Sequence, residues 1–159
     1  MREGSLEQIS HGLFVHPRRG RFGAVPPGDD DVMNALLDGA PFVFTGPERW
    51  NALGLGSTAV FAATLVYNTK RSGEFVLGGR RYRLRRVRFP AEPTPEWFVV
   101  DLIEHVEMAG VSRADLERAL GRALAVHRFE LARLRQAAHE YGTRATSAFV
   151  ERATSRSRA

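Results

Sequence analysis

Arginines crowded into one short stretch are the side chains of this sequence best suited to chemistry with another molecule. The chain has 159 residues and a formal net charge of +5, from 23 basic and 18 acidic side chains. Residues 70–90 hold eight basic residues and one acidic residue, whereas the segments before and after are net −2 and neutral. Guanidinium groups bind phosphates and carboxylates through paired hydrogen bonds. A local stripe of charge predicts a binding surface on one part of the molecule.

The predicted binding surface comprises the second arm of a β-hairpin and the residues just before its first arm. A Gly-Gly turn at residues 78–79 joins the arms, residues 75–77 and 80–89. Seven cations are assigned to the surface: Lys70, Arg71, Arg81, Arg83, Arg85, Arg86 and Arg88.

The apolar pattern of the second arm changes phase at its end. Tyr82 and Leu84 share one face, but Val87 and Phe89 are offset from them by an odd number of residues. This offset predicts a bulge or an edge strand, and arginines on an edge also block unwanted strand pairing. The stripe is therefore open to three interpretations. It can be a solvated edge, a site for an acidic protein, or a site where phosphates bind and bases stack on aromatic rings.

Residue patterns typical of enzymes are missing from the sequence. There are no cysteines, which excludes disulfides, thiolate zinc sites and cysteine nucleophiles. His11 and His16 lie five apart on a predicted strand and so face opposite ways, while His105 has no second histidine one helical turn away. No serine lies in a Gly-x-Ser-x-Gly motif, and residues 54–57 lack the lysine of a phosphate-binding loop. The sequence predicts no catalytic residue, no metal ligand and no cofactor.

The elements that position the stripe predict an α+β fold, with a small mixed β-sheet and packed helices over residues 10–90. Strands are predicted at residues 11–16, 42–44 and 62–69. The three aspartates at 29–31 predict an N-cap and an acidic first turn for an amphipathic helix that ends at Gly39. Residues 17–28, rich in Arg, Gly and Pro, predict a loop.

The chain after residue 93 predicts an all-helical part over residues 94–153. Thr94 and Pro95 begin one helix. The next begins at Ser112 to Asp115, which resembles a capping box with Asp in place of Glu. Residues 154–159 predict a flexible tail. No apolar run approaches the roughly 20 residues of a membrane helix, and the N-terminus has no apolar signal-peptide region. A cytoplasmic protein without membrane association is therefore expected.

Three segments resemble the AbiEi-type antitoxins of type IV toxin–antitoxin systems. They are Gly12-Leu13-Phe14-Val15-His16-Pro17, the run from Arg21 to Pro27, and the run from Gly46 to Leu55 with Asn51-Ala52-Leu53-Gly54-Leu55 at its end. Tyr67-Asn68-Thr69 resembles a further strand of that family, and Tyr141 to Thr146 is similar to a C-terminal element of some members. The motifs are turns and packing positions, so the resemblance transfers no catalytic residue.

The resemblance implies a domain order and a function. Residues 1–16 correspond to a winged-helix wing strand, residues 17–90 to the α/β antitoxin-like unit, and residues 94–153 to the helical part. Family members usually begin with a complete winged helix-turn-helix that binds operator DNA, whereas residues 4–14 here resemble only its final hairpin. The implied protein is an antitoxin-like regulator, linked to transcriptional regulation, that opposes a nucleotidyltransferase-type toxin without requiring a stable complex. The alternative is a nucleic-acid-binding module that uses the arginine stripe.

Overall fold

A computed structural model describes residues 7–10, 12–15 and 18–159. The fold is α+β, as predicted: a four-stranded mixed sheet with packed helices, followed by C-terminal helices. The chain forms two compact units, Met1–Phe44 with Ala62–Arg88, and Thr45–Phe61 with Phe89–Ala159. The expectation that His11 and His16 face opposite ways falls on residues outside those described.

The described residues of the first unit form eight strands and one helix. The strands are β1 (Glu7–Ser10), β2 (Leu13–Val15), β3 (Arg18–Gly20), β4 (Gly23–Val25), β5 (Phe42–Thr45), β6 (Thr64–Asn68), β7 (Gly73–Leu77) and β8 (Arg80–Arg86), and the helix is α1 (Asp29–Leu36). Thr45, the last residue of β5, groups with the second unit. The pairs β1–β2 and β3–β4 are antiparallel hairpins, and the larger sheet has the order β5-β6-β8-β7. Strand β8 runs parallel to β6 and antiparallel to β7.

Helix α1 covers one face of this sheet and builds the core of the first unit. Its buried side chains pack with those of alternate strand residues, because successive side chains of a strand point to opposite faces. The cluster consists of Val32, Met33, Leu36 and Leu37 from the helix and its end, with Val66, Leu77, Tyr82 and Leu84 from the sheet. Gly28 is the N-cap, and the three aspartates fill the first turn, where negative charge is favourable. The helix predicted there is confirmed, with its cap one residue earlier than expected.

Asp29 ties the start of α1 to the sheet. Its Oδ1 accepts hydrogen bonds from the Tyr82 hydroxyl at 2.5 Å and from Arg80 Nη1 at 2.7 Å. Burial of the phenol, together with this bond to a carboxylate, raises the pKa of Tyr82 well above its usual range. Arg80 also donates to the carbonyl of Pro27 and thereby fixes the segment that enters the helix.

Two sequence-based expectations for the first unit are wrong. Residues 17–28 were expected to form a loop, but they contain the β3–β4 hairpin, closed by the two-residue turn Arg21-Phe22. The second arm of the β7–β8 hairpin was expected to be a bulged or edge strand, but β8 is paired on both sides in regular register. The apolar pattern changes after Leu84 because the strand ends at Arg86, so Val87 and Phe89 lie outside it.

The second unit is mainly helical. Its helices are α2 (Pro47–Ala52), α3 (Pro95–Glu104), α4 (Arg113–Ala125), α5 (Leu131–Tyr141) and α6 (Arg144–Ser157), and a 3-10 turn follows α3 at Val106–Met108. The predicted caps are confirmed: Thr94 Oγ1 accepts from the Trp97 amide, and Ser112 Oγ accepts from the Asp115 amide. Residues 45–61 group with these helices.

Helix α6 extends beyond Ala153, where it was predicted to end. Thr154 is buried, and its hydroxyl donates to the Val150 carbonyl one turn earlier, so the polar side chain is compatible with a helix interior. Glu117 of α4 accepts from both Arg152 and Arg156 of α6. The bond from Arg156 is the main reason that the pKa of Glu117 lies below its usual range. Among the described residues, no helix is long and apolar enough to cross a membrane.

Candidate functional site

Strand β8 places the predicted arginines on one face of the sheet by simple alternation. Tyr82 and Leu84 point to the buried face covered by α1, so Arg81, Arg83 and Arg85 point to the opposite face. All three arginines are exposed. Residues two apart on a strand are separated by about 6–7 Å, so the guanidinium groups start from evenly spaced positions.

The neighbouring strands supply different partners for these three arginines. Arg83 lies opposite Glu74 of β7, and its Nε and Nη2 donate to the same carboxylate oxygen at 3.1 and 2.9 Å. Arg85 lies beside Tyr67 of β6, with its guanidinium carbon 5.9 Å from the centre of the ring. Arg81 forms no ion pair with the acidic side chains of residues 18–159. The row therefore has one paired arginine, one stacked on an aromatic ring, and one whose charge faces solvent.

The loop between β6 and β7 brings two further cations to one end of this row. Asn68 is 0% exposed, and its Oδ1 accepts from the amides of Lys70 and Arg71, both at 2.8 Å. Its Nδ2 donates to the carbonyls of Arg71 at 2.9 Å and Arg85 at 3.4 Å. The buried amide thus links the loop to the C-terminal end of β8.

Two more contacts fix that loop. Ser72 Oγ accepts from the Arg86 amide at 2.8 Å. The Lys70 ammonium donates to Asp38, and this hydrogen bond and the lysine charge lower the pKa of the Asp38 carboxyl. Lys70 is therefore partly neutralised. Arg86 forms no ion pair with an acidic group in the part of the chain from residue 18 onward, and it is exposed.

The seven predicted cations lie on the sheet face and at one end of the β6–β8 pair, and we refer to them together as the basic surface. Arg81, Arg83 and Arg85 form the row, while Lys70, Arg71 and Arg86 lie where β6 and β8 end. Arg88 follows two residues after the end of β8 and is also exposed. The arrangement can bind a polyanion, because exposed cations on a rigid sheet attract phosphates or carboxylates without rearrangement.

Comparisons with known proteins do not identify this arrangement. No family model matches the sequence, and neither the curated proteins nor the solved structures contain a significant match. The interpretation of the basic surface therefore rests on its own geometry and charge.

A buried polar cluster in the second unit was missed by the sequence analysis. Asp101 of α3 is 5% exposed, and its Oδ2 accepts from Thr45 Oγ1 at 2.5 Å and from Trp50 Nε1 at 2.8 Å. His105, one turn later, places Nδ1 2.7 Å from the Asp101 carbonyl and 3.5 Å from its Oδ1. The His105 ring stacks on Trp50 with centroids 5.2 Å apart. The signal for this cluster in the sequence is the aspartate four residues, or one helical turn, before His105.

The Asp101 cluster has the geometry of a structural network. Its carboxylate bonds a strand end, the indole of α2 and the histidine of its own helix, and so joins three segments of the second unit. Trp50 and Asp101 are buried, so neither presents a reactive atom at a surface. In residues 7–10, 12–15 and 18–159, no group of three or more His, Asp or Glu side chains is arranged to hold a metal ion.

Proposed function

We propose that this chain is a non-enzymatic, antitoxin-like regulatory protein that acts in the cytoplasm against a nucleotidyltransferase-type toxin of a type IV toxin–antitoxin system. The basic surface is its interaction surface in this proposal. Support comes from the resemblance of the turn and strand motifs to AbiEi-type antitoxins. The structural observation that carries it is the collection of exposed cations on one sheet face and the adjoining loop, anchored by Asn68.

The structure identifies which arginines can be changed with least damage to the fold. Arg83 is paired with Glu74, and Arg85 lies against Tyr67, so replacing either one removes a contact within the unit. Arg81 and Arg86 are exposed and form no ion pair with acidic side chains of residues 18–159. They are therefore the preferred positions for charge reversal.

Charge reversal at Arg81 and Arg86 is expected to abolish protection against the toxin. The R81E/R86E variant would be co-expressed with the nucleotidyltransferase encoded beside the gene, and growth would be measured. The control is R122E/R144E, which makes the same change in net charge at two exposed arginines of α4 and α6. Full growth with R81E/R86E, at equal protein level, would exclude the basic surface from the activity. The lack of any nucleotidyltransferase gene beside this one would count against the toxin–antitoxin proposal itself.

A second candidate function is nucleic-acid binding by the same surface. It is favoured by the exposure of Arg81 and Arg86 without carboxylate partners in residues 18–159, because such guanidinium groups are available to phosphates.

Binding of this kind should weaken steeply as salt is added, because each phosphate contact releases counterions. Replacing both arginines, in R81Q/R86Q, should make the slope of log affinity against log salt shallower by about 1.5. Fluorescence anisotropy with duplex and single-stranded oligonucleotides over a salt series measures this slope, with R122Q/R144Q as control. Equal slopes for the two variants would rule out phosphate contacts at the basic surface.

A further inference from the structure

The β3–β4 hairpin carries an almost fully exposed phenylalanine at its turn. Phe22 at the turn is 98% exposed, the largest exposure among the bulky apolar side chains in the described part of the chain. A ring exposed at the tip of a hairpin lies outside the core and is available to stack on another molecule.

The two glycines beside the turn leave the ring accessible. Gly23 has φ of +122°, a conformation that other residues rarely adopt, and a Cβ at Gly20 would lie 2.7 Å from Val25 Cγ2. Gly20 and Gly23 also form the last pair of the ladder, directly below the turn. The tip therefore consists of the Arg21 and Phe22 side chains with no bulky neighbour in the adjacent ladder pair.

The hairpin is strongly cationic. Residues 18–25 contain Arg18, Arg19 and Arg21 and no acidic residue. Phe22 and Val25, 98% and 43% exposed, form a small apolar area in this cationic segment, unlike the contiguous apolar centre of a protein-docking surface. The segment matches the combination used for single-stranded nucleic acid, in which cations neutralise phosphates and an aromatic ring stacks on a base.

The base of the hairpin is fixed to the strand that carries the basic surface. After β4, the chain passes through Pro26 and Pro27, and Arg80 holds both the Pro27 carbonyl and Asp29. Arg80 is the first residue of β8, and Arg81 begins the arginine row. Pro27, two residues after the end of β4, therefore lies at the end of β8 where this row starts.

We propose that the β3–β4 hairpin is a nucleobase-binding finger: Phe22 stacks on an unpaired base, and the adjacent Arg21 contacts a flanking phosphate. The ligand is single-stranded RNA or DNA, or an unpaired loop within a structured RNA, because stacking requires a base whose face is free. The inference goes beyond the nucleic-acid candidate function, because it assigns base binding to a site outside the basic surface.

Substitutions at Phe22 separate stacking from general hydrophobic contact. Binding to labelled oligouridylate and oligothymidylate would be measured by anisotropy at low salt. F22A should lower the affinity about 5- to 150-fold. F22L should lose a similar amount because leucine has no aromatic face, whereas F22W should bind at least as tightly as the wild type. V60A removes another exposed apolar side chain, 88% exposed in the second unit, and should have no effect.

An abasic oligonucleotide of the same length provides the decisive comparison. It offers phosphates without bases, so wild type and F22A should bind it equally. Because the ring is exposed, thermal unfolding of F22A should match that of the wild type, and reduced binding cannot then be attributed to misfolding.

Several outcomes would overturn the inference. The first is that F22A binds oligouridylate and oligothymidylate as tightly as the wild type does, and the second is that F22L keeps full affinity. The third is that the protein binds phosphatidylserine vesicles through Phe22 and binds no oligonucleotide. The R81Q/R86Q variant is measured in parallel, so that loss of binding by the finger can be distinguished from loss of binding by the basic surface. If R81Q/R86Q loses affinity and F22A does not, the basic surface binds nucleic acid and the finger does not. If only F22A loses affinity, the finger stands and the role of the basic surface fails.

Discussion

Replacing Asp101 with alanine is expected to lower the free energy of unfolding of the second unit by about 2–5 kcal/mol. The carboxylate accepts from the Thr45 hydroxyl and the Trp50 indole, and both residues are buried. In D101A these two buried donors lose their acceptor, and water reaches them poorly. Each unsatisfied donor lowers the free energy of unfolding by about 1–3 kcal/mol. D101N retains an acceptor oxygen and should lose less than D101A.

Tryptophan fluorescence during denaturation in urea measures this loss. The chain has two tryptophans, Trp50 and Trp97, and both belong to the second unit, so the signal reports that unit alone. E107A is the control, because Glu107 is exposed and its ion pair with Arg113 is long, at 3.6 Å. The control should stay within about 0.5 kcal/mol of the wild type. If D101A unfolds at the same urea concentration as E107A, the buried cluster does not stabilise the second unit.

Replacing Asn68 with alanine is expected to weaken binding by the basic surface without removing a single charge. Asn68 organises the β6–β7 loop through four hydrogen bonds, and its loss leaves backbone amides and carbonyls of the loop without their partner. The expected cost is about 2–3 kcal/mol of stability. The loop that carries Lys70 and Arg71 should lose its fixed position beside β8.

Two measurements separate these effects: thermal unfolding by circular dichroism, and the salt concentration that elutes the protein from a polyanion column. N68A should unfold at lower temperature and elute at lower salt, although its net charge is unchanged. N68D keeps the acceptor for both loop amides and should lie between N68A and the wild type in stability. N34A, at an exposed asparagine of α1, should match the wild type in both measurements. Unchanged elution of N68A would mean that the position of the loop is irrelevant to anion binding.

The helices of the second unit could be predicted because their signals are local. Thr94 and Ser112 lie directly before their helices, and each hydroxyl bonds an amide three residues later. The far end of α6 was missed because a polar stretch indicates a frayed tail, whereas Thr154 is buried and bonded within its own helix.

The sheet was only partly predictable because its pairing is not local. The sequence indicates the β7–β8 hairpin through its Gly-Gly turn, but not that β6 pairs with the other side of β8. The β3–β4 hairpin was missed for a different reason: its Arg- and Gly-rich composition is typical of loops, and its strands are three residues each.

The candidate site was likewise predictable only in part from the sequence. Charge counting alone located the basic surface, since its cations lie within residues 70–88. The anchoring role of Asn68 could not be predicted, because it depends on contacts with Arg85 on another strand. The Asp101 cluster was hidden for a similar reason, with partners more than fifty residues apart in the chain.

The alternation of β8 has a consequence for how such a protein can diverge. At Arg81, substitution alters charge alone. At Arg83 and Arg85 it also removes one contact, with Glu74 or with Tyr67, whereas Tyr82 and Leu84 are held by packing. Point mutation can therefore retune the preference for an anionic partner in small steps. Insertion or deletion of one residue within the strand would exchange the two faces, burying arginine and exposing tyrosine and leucine. This strand should therefore tolerate substitutions at its exposed positions but not insertions or deletions.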